Sequence, residues 1–88
     1  MKIIFGDHFR RSVVILLEKV KRKLADLIFL FQKEPNSSLL HIHIKKLHGE
    51  YAGYFSFRVF SDYRVIFRFN DFETIFLVDV AHRKDIYK

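Results

Sequence analysis

The chain contains no cysteine and one proline among its 88 residues. The absence of cysteine excludes disulfide bonds, thiolate zinc sites and cysteine nucleophiles. Long apolar runs are also missing, since no segment approaches the roughly 18 apolar residues of a membrane-spanning helix, and the first residues lack the pattern of a signal peptide. These absences predict a cytoplasmic protein with no membrane partner.

Apolar and aromatic residues are abundant. Half of the residues are hydrophobic and 17% are aromatic, with 11 phenylalanines. This composition can supply an apolar core and is not that of a disordered chain. The length falls within the range of a single core, so we expect one domain covering residues 1–88.

Positive charge is in excess. Sixteen Lys and Arg residues stand against ten Asp and Glu residues, which gives a formal net charge of +6. A basic surplus favours a polyanionic partner, and nucleic acid is the first candidate, because each cation that neutralises a phosphate also releases counterions. An acidic protein partner or simple solubility would explain the same surplus.

Apolar residues recur at steps of three and four from Phe9 to Phe31, which predicts helix. One unbroken helix over residues 7–34 would be about 42 Å long, more than the roughly 30 Å expected for a domain of this size. We therefore expect two antiparallel helices, with the break near residues 18–21. Pro35 and the polar residues after it end the second helix.

The remaining pattern is that of strands. Residues 1–5 form a short apolar segment before Gly6. Three later segments are rich in aromatic and β-branched residues and are separated by short polar turns: residues 54–60, 63–69 and 74–81. The predicted fold class is α+β in the order β-α-α-β-β-β, a small antiparallel sheet with an N-terminal helical hairpin packed on one face.

Three histidines lie close together in the sequence. On a strand, His41 and His43 would share a face, an arrangement that suits a divalent metal. The neighbouring Lys45 and Lys46 disfavour metal binding, and no cysteine or aspartate lies nearby. We therefore predict no metal site, and assign Lys45, Lys46 and His48 to a basic surface that contacts RNA.

The last third of the chain places basic and aromatic polar residues on or beside strands: Arg58, Arg64, Arg68, His82, Arg83 and Tyr87. The alternation of a strand holds each arginine in a defined direction. Arginines can balance charge on a pentavalent phosphate, and an imidazole or a phenol can move protons. The set predicts metal-free RNA cleavage, in which a 2′-hydroxyl attacks the adjacent phosphate, without a metal or any small-molecule cofactor.

Four segments carry a resemblance to a known family: residues 47–54 (LHGEYAGY), 57–59 (FRV), 62–68 (DYRVIFR) and 81–87 (AHRKDIY). Together they resemble the RelE/ParE toxin superfamily over the whole chain. The resemblance implies a ribosome-dependent messenger RNA endonuclease that inhibits translation. It also implies a cognate antitoxin that wraps the toxin and blocks its active residues; given the charge surplus, we expect that antitoxin to be acidic.

By position, Arg64, Arg83 and Tyr87 match catalytic residues of the family, and His82 stands where relatives carry a histidine or another basic residue. The resemblance thus implies these four as catalytic residues, while Arg58 and Arg68 are expected to contact RNA. The paired strand lysines of the RelE type are replaced by phenylalanine, at residues 55 and 57. His82 is then the expected group for proton transfer, since an arginine stays protonated.

Other functions stay open at this point. ParE-type relatives have the same fold and inhibit DNA gyrase without cleaving nucleic acid, and a degenerate member would bind only its antitoxin. The ending AHRKDIY and the Asp62-Tyr63-Arg64 strand favour the ribonuclease. If Arg58 and Arg64 share a phosphate site, the loop that joins their strands must have an odd number of residues, three or five. We then expect both arginines on the sheet face away from the helices. His82, Arg83 and Tyr87 are expected at the edge of that face.

Overall fold

The computed structural model describes residues 1–37 and 44–87. These residues form, in chain order, β1 (Lys2–Phe5), α1 (Asp7–Val14), α2 (Glu18–Lys33), β2 (Ile44–Lys46), a 3₁₀ helix (Gly49–Tyr51), β3 (Phe55–Val59), β4 (Tyr63–Asp71) and β5 (Thr74–His82). Neither α1 nor α2 is long and apolar enough to cross a membrane, and no other α-helix occurs in these two ranges.

The strands build one sheet in the order β1-β5-β4-β3-β2. β1 runs parallel to β5, whereas the other neighbours are antiparallel. The α+β class and the helical hairpin on one face of the sheet are confirmed. The predicted layout lacked one element, the three-residue edge strand β2. The predicted antiparallel sheet is wrong in one pairing, because β1 runs parallel to β5 and makes the sheet mixed.

The main core lies between the helices and one face of the sheet. The alternation along β3, β4 and β5 turns their apolar side chains toward α1 and α2. Its buried members are Phe9, Val20, Leu24, Phe31, Phe57, Val59, Val65, Phe67, Ile75, Leu77 and Val80. Every phenylalanine in this set is at most 3% exposed, so the helical hairpin is fixed to the sheet through aromatic packing.

The other face of the sheet, which we call the open face, carries a second and smaller apolar cluster. Leu47, Ile66 and Ile86 are buried there, and tyrosines of the chain pack around them. Ile86 belongs to the turn that follows β5, so this cluster holds the C-terminal segment against the sheet. The segment thereby has a defined position beside the strands.

A three-residue loop, residues 60–62, joins β3 to β4, because Val59 pairs with Tyr63 across it. Phe60 in this loop has a left-handed backbone with φ 55°. The odd loop length places Arg58 directly opposite Arg64, and directly opposed residues share a face. The predicted loop parity and the shared face of the two arginines are confirmed.

The predicted helix break near residues 18–21 is wrong. α1 ends at Val14 and α2 begins at Glu18, so the break falls in the apolar segment of residues 15–17. The Leu16 amide closes a turn onto the Val13 carbonyl, and Leu17 is extended and precedes the first turn of α2. The charged run of residues 18–23 has few apolar residues, but it forms the first turns of α2, with Val20 buried among its charged side chains.

Candidate functional site

A concave depression of about 440 Å³ lies on the open face. Its walls combine three parts of the fold, namely β2, the β3–β4 pair and the C-terminal turn. It is lined by Ile44, Lys45, Ser56, Arg58, Arg64, Arg83 and Tyr87. Four of these seven residues are cationic and none is acidic, so this part of the described surface favours an anion.

β3 and β4 supply two arginines in direct opposition. Like charges directly opposite each other on neighbouring strands destabilise a sheet, so the Arg58–Arg64 pair has a cost that an anion bound between the two would relieve. The guanidinium of Arg64 is oriented by the β3–β4 loop, since its Nη1 donates to the Ser61 carbonyl at 2.9 Å and to the Tyr63 carbonyl at 3.1 Å. Arg64 is therefore held in one direction.

The C-terminal turn supplies the third arginine and the phenol. The Arg83 amide donates to the Asp62 carbonyl at 2.7 Å, which ties the turn to the β3–β4 loop. Ile86 is 5% exposed and anchors the turn in the open-face cluster. Tyr87 packs edge-on against Tyr51 with ring centroids 5.3 Å apart, and it remains 45% exposed at the depression.

β2 and β3 supply a lysine and a hydroxyl. Lys45 pairs with Ser56, so both point to the open face. Ser56 is 3% exposed and lines the depression. Sequence reasoning did not select Ser56 as a site residue, although the alternation of Ser56 with Phe55 and Phe57 would have placed it beside Arg58.

A second depression of about 340 Å³ adjoins the first and shares Lys45 and Tyr87 with it. Lys46, His48 and Tyr51 complete much of its lining. The lysines and His48 that were predicted to contact RNA therefore line one continuous basic surface with the arginines. Their contact with RNA stays a prediction.

Arg68 lies on the open face but outside both depressions. It lies four positions along β4 from Arg64, a distance of roughly 13 Å on a strand. Its guanidinium stacks 4.6 Å from the ring centroid of Phe76, and its Nη1 donates to Asn70 Oδ1 at 2.8 Å. These two contacts hold the Arg68 side chain at the far end of the strand, and its contact with RNA stays a prediction.

The predicted position of His82 is wrong. His82 pairs with Tyr63, which packs on the helix-side core, and the two rings meet edge-on at 5.4 Å. His82 lines a separate depression with Leu16 and other residues of the α1–α2 region, on the face opposite Arg64. The sheet therefore separates His82 from Arg58 and Arg64.

The reason is a bulge in β5. Ile66 pairs with Asp79 whereas Phe67 pairs with Leu77, so one extra residue lies in β5 between these pairs. A regular strand that continued from Leu77 would turn His82 to the open face. The extra residue reverses the alternation and turns His82 to the helix side.

Two further predictions concern individual positions. His41 and His43 lie outside the described residues. Phe55 and Phe57, at the positions where the resemblance expects lysines, belong to the helix-side core. In this chain those two positions face away from the depression.

The chain matches no family model, and no curated protein matches it significantly. Solved structures do match. A chain of the toxin–antitoxin complex RelBE2 from Mycobacterium tuberculosis is 27% identical with a TM-score of 0.74, over 93% of this chain and 96% of that one. A chain of the RelB–RelE antitoxin–toxin complex from Methanococcus jannaschii is 27% identical with a TM-score of 0.77, over 96% and 94% respectively.

YafQ from E. coli strain BL21(DE3) has the same fold, with a TM-score of 0.78 at 18% identity over 99% of this chain and 98% of that one. Together, the fold and the cationic depression define a small toxin-like domain. The matches extend over nearly the full length of each chain, and the resemblance read from the sequence is confirmed. In sequence and fold, this chain is similar to toxins of the RelE/ParE superfamily.

Proposed function

We propose that the chain is the toxin of a toxin–antitoxin pair, and that it cleaves messenger RNA on the ribosome and so inhibits translation. The observation that carries the proposal is the depression on the open face. There Arg58, Arg64 and Arg83 meet Tyr87, and none of the described residues that line the depression is a carboxylate. A cationic surface of this kind fits the negative charge of a phosphodiester.

The proposed reaction is the attack of a 2′-hydroxyl on the adjacent phosphate, which leaves a 2′,3′-cyclic phosphate and a 5′-hydroxyl. Arg64 and Arg83 neutralise the charge that develops on the phosphate oxygens, as preoriented donors do in other transition states. The guanidinium groups supply this charge, so the proposed reaction needs no metal. In this reaction Arg58 contacts the phosphate, and Tyr87 acts on the reacting atoms through its phenol; both line the same depression, which supports these roles.

The proposed partners are the ribosome with its messenger RNA, in the cytoplasm, and a cognate acidic antitoxin. Two of the three matched structures named above are complexes of a toxin with its antitoxin. The net charge of +6 favours an acidic partner. Apolar residues at the α1–α2 break, among them Ile15 at 85% exposure, offer contacts that charge alone does not.

The test compares two activities of one purified protein. Ribosomes programmed with a defined messenger are incubated with the protein, and cleavage is mapped by primer extension; supercoiling by DNA gyrase is measured in parallel. We expect cleavage of ribosome-bound messenger and no effect on gyrase. Intact messenger together with inhibited gyrase would contradict the ribonuclease and support a ParE-type inhibitor.

A further inference from the structure

Cleavage by a 2′-hydroxyl moves two protons. One leaves the 2′-oxygen that attacks, and one must reach the 5′-oxygen that departs, because an alkoxide is a poor leaving group. Three of the side chains in the depression are arginines, which stay protonated in proteins and exchange protons poorly. The lining side chains suited to proton transfer are therefore Lys45 and Tyr87.

Lys45 reaches the depression from β2, a strand that supplies none of the arginines of the site. It stands on the edge strand β2 opposite Ser56, and it faces the same side of the sheet as Arg58 and Arg64. The β3 positions where the resemblance expects lysines hold core phenylalanines. The neighbouring strand β2 thus supplies the site with a lysine amine, which β3 lacks.

We propose that Lys45 is a catalytic residue, whose ammonium group contacts the scissile phosphate and protonates the departing 5′-oxygen. This inference rests on the proposed ribonuclease function. As the bond from the 2′-oxygen to phosphorus forms, the 2′ proton passes to water. The bond from phosphorus to the 5′-oxygen breaks with its electron pair on that oxygen, which takes the proton from Nζ of Lys45. Water then returns a proton to the amine.

The experiment uses two messengers that differ in one atom. The cut site is first mapped on the natural messenger, and a second messenger is then made with sulfur in place of the 5′-oxygen at that site. A thiolate leaves without being protonated, because thiols are far more acidic than alcohols. Single-turnover cleavage on programmed ribosomes is measured for wild type, Lys45→Ala, Lys45→Arg and Lys33→Ala, and each variant's folding is checked by thermal unfolding.

Lys33→Ala is the matched control, because it removes one lysine charge from the exposed end of α2 on the helix side of the sheet. We expect Lys45→Ala to cleave the natural messenger about 100-fold more slowly than wild type, and the sulfur messenger at nearly the wild-type rate. Lys45→Arg keeps the charge but donates a proton poorly, so it should show the same pattern. Lys33→Ala should match wild type on both messengers.

Two results would overturn the inference while the ribonuclease stands. One is an equal slowing of Lys45→Ala on both messengers, which would make Lys45 a contact residue only. The other is full activity of Lys45→Arg on the natural messenger, which would show that charge suffices. A wild-type protein that leaves both messengers intact would instead contradict the ribonuclease itself, and the role of Lys45 with it.

Discussion

Truncating Ile86 to alanine should destabilise the protein and lower its cleavage activity. Ile86 is 5% exposed and packs with Leu47 and Ile66 on the open face. The change removes three carbon atoms, which at about 0.8 kcal/mol per buried methylene amounts to about 2.4 kcal/mol. Incomplete closure of the cavity raises the expected loss to about 3 kcal/mol. In a domain of this size that lowers the melting temperature by about 10–20 °C.

The functional loss should exceed the loss of folded protein, because Ile86 anchors the turn that carries Arg83 and Tyr87. Urea unfolding measures the stability, amide hydrogen exchange measures the order of residues 83–87, and cleavage on programmed ribosomes is measured well below the melting temperature. Ile86→Val is the control, with an expected loss of about 0.5–1.5 kcal/mol. If folded Ile86→Ala protein cleaved at the wild-type rate, the anchored turn would not be needed for activity.

Three further outcomes follow from single contacts. Gly6→Ala should lower the free energy of unfolding by about 1–3 kcal/mol, since the added Cβ would lie 2.6 Å from the Leu77 carbonyl oxygen. Thermal unfolding measures this loss, and an unchanged melting temperature would show that the backbone moves aside without cost. Ser12→Ala should cost about 1–3 kcal/mol, because the Ser12 hydroxyl donates to Asp79 Oδ1 at 2.6 Å and ties α1 to β5. His82→Ala should leave messenger cleavage near the wild-type rate, because His82 faces the helices. If the cleavage rate of His82→Ala fell as far as that of an arginine variant, His82 would belong to the site.

The pairing of β3 with β4 and the shared face of Arg58 and Arg64 could be predicted, because both depend on local alternation. Aromatic and β-branched residues alternate with polar ones along β3, so Ser56 and Arg58 had to face away from Phe57. The three-residue loop then fixes the parity between β3 and β4. That parity puts Arg58 and Arg64 on one face without any knowledge of long-range packing.

The rest depends on features without a local signature. The bulge in β5 between Leu77 and Asp79 reverses the face of His82, and no glycine or proline marks it. β2 is three residues long and exists through its pairing with β3, so Lys45 could be named as basic but not placed beside the arginines. The helix break likewise falls among apolar residues, where periodicity does not reveal it.

The central claim is that the arginines of the open face stabilise a phosphate undergoing cleavage. Single-turnover cleavage of a defined messenger on programmed ribosomes tests it most directly, with Arg64→Ala compared with Arg11→Ala, an exposed arginine on α1. Arg64→Ala should cut about 100-fold or more slowly, a loss of about 3 kcal/mol of transition-state stabilisation, while Arg11→Ala should match wild type. Equal rates for the two folded variants, or an uncut messenger with the wild-type protein, would contradict the claim.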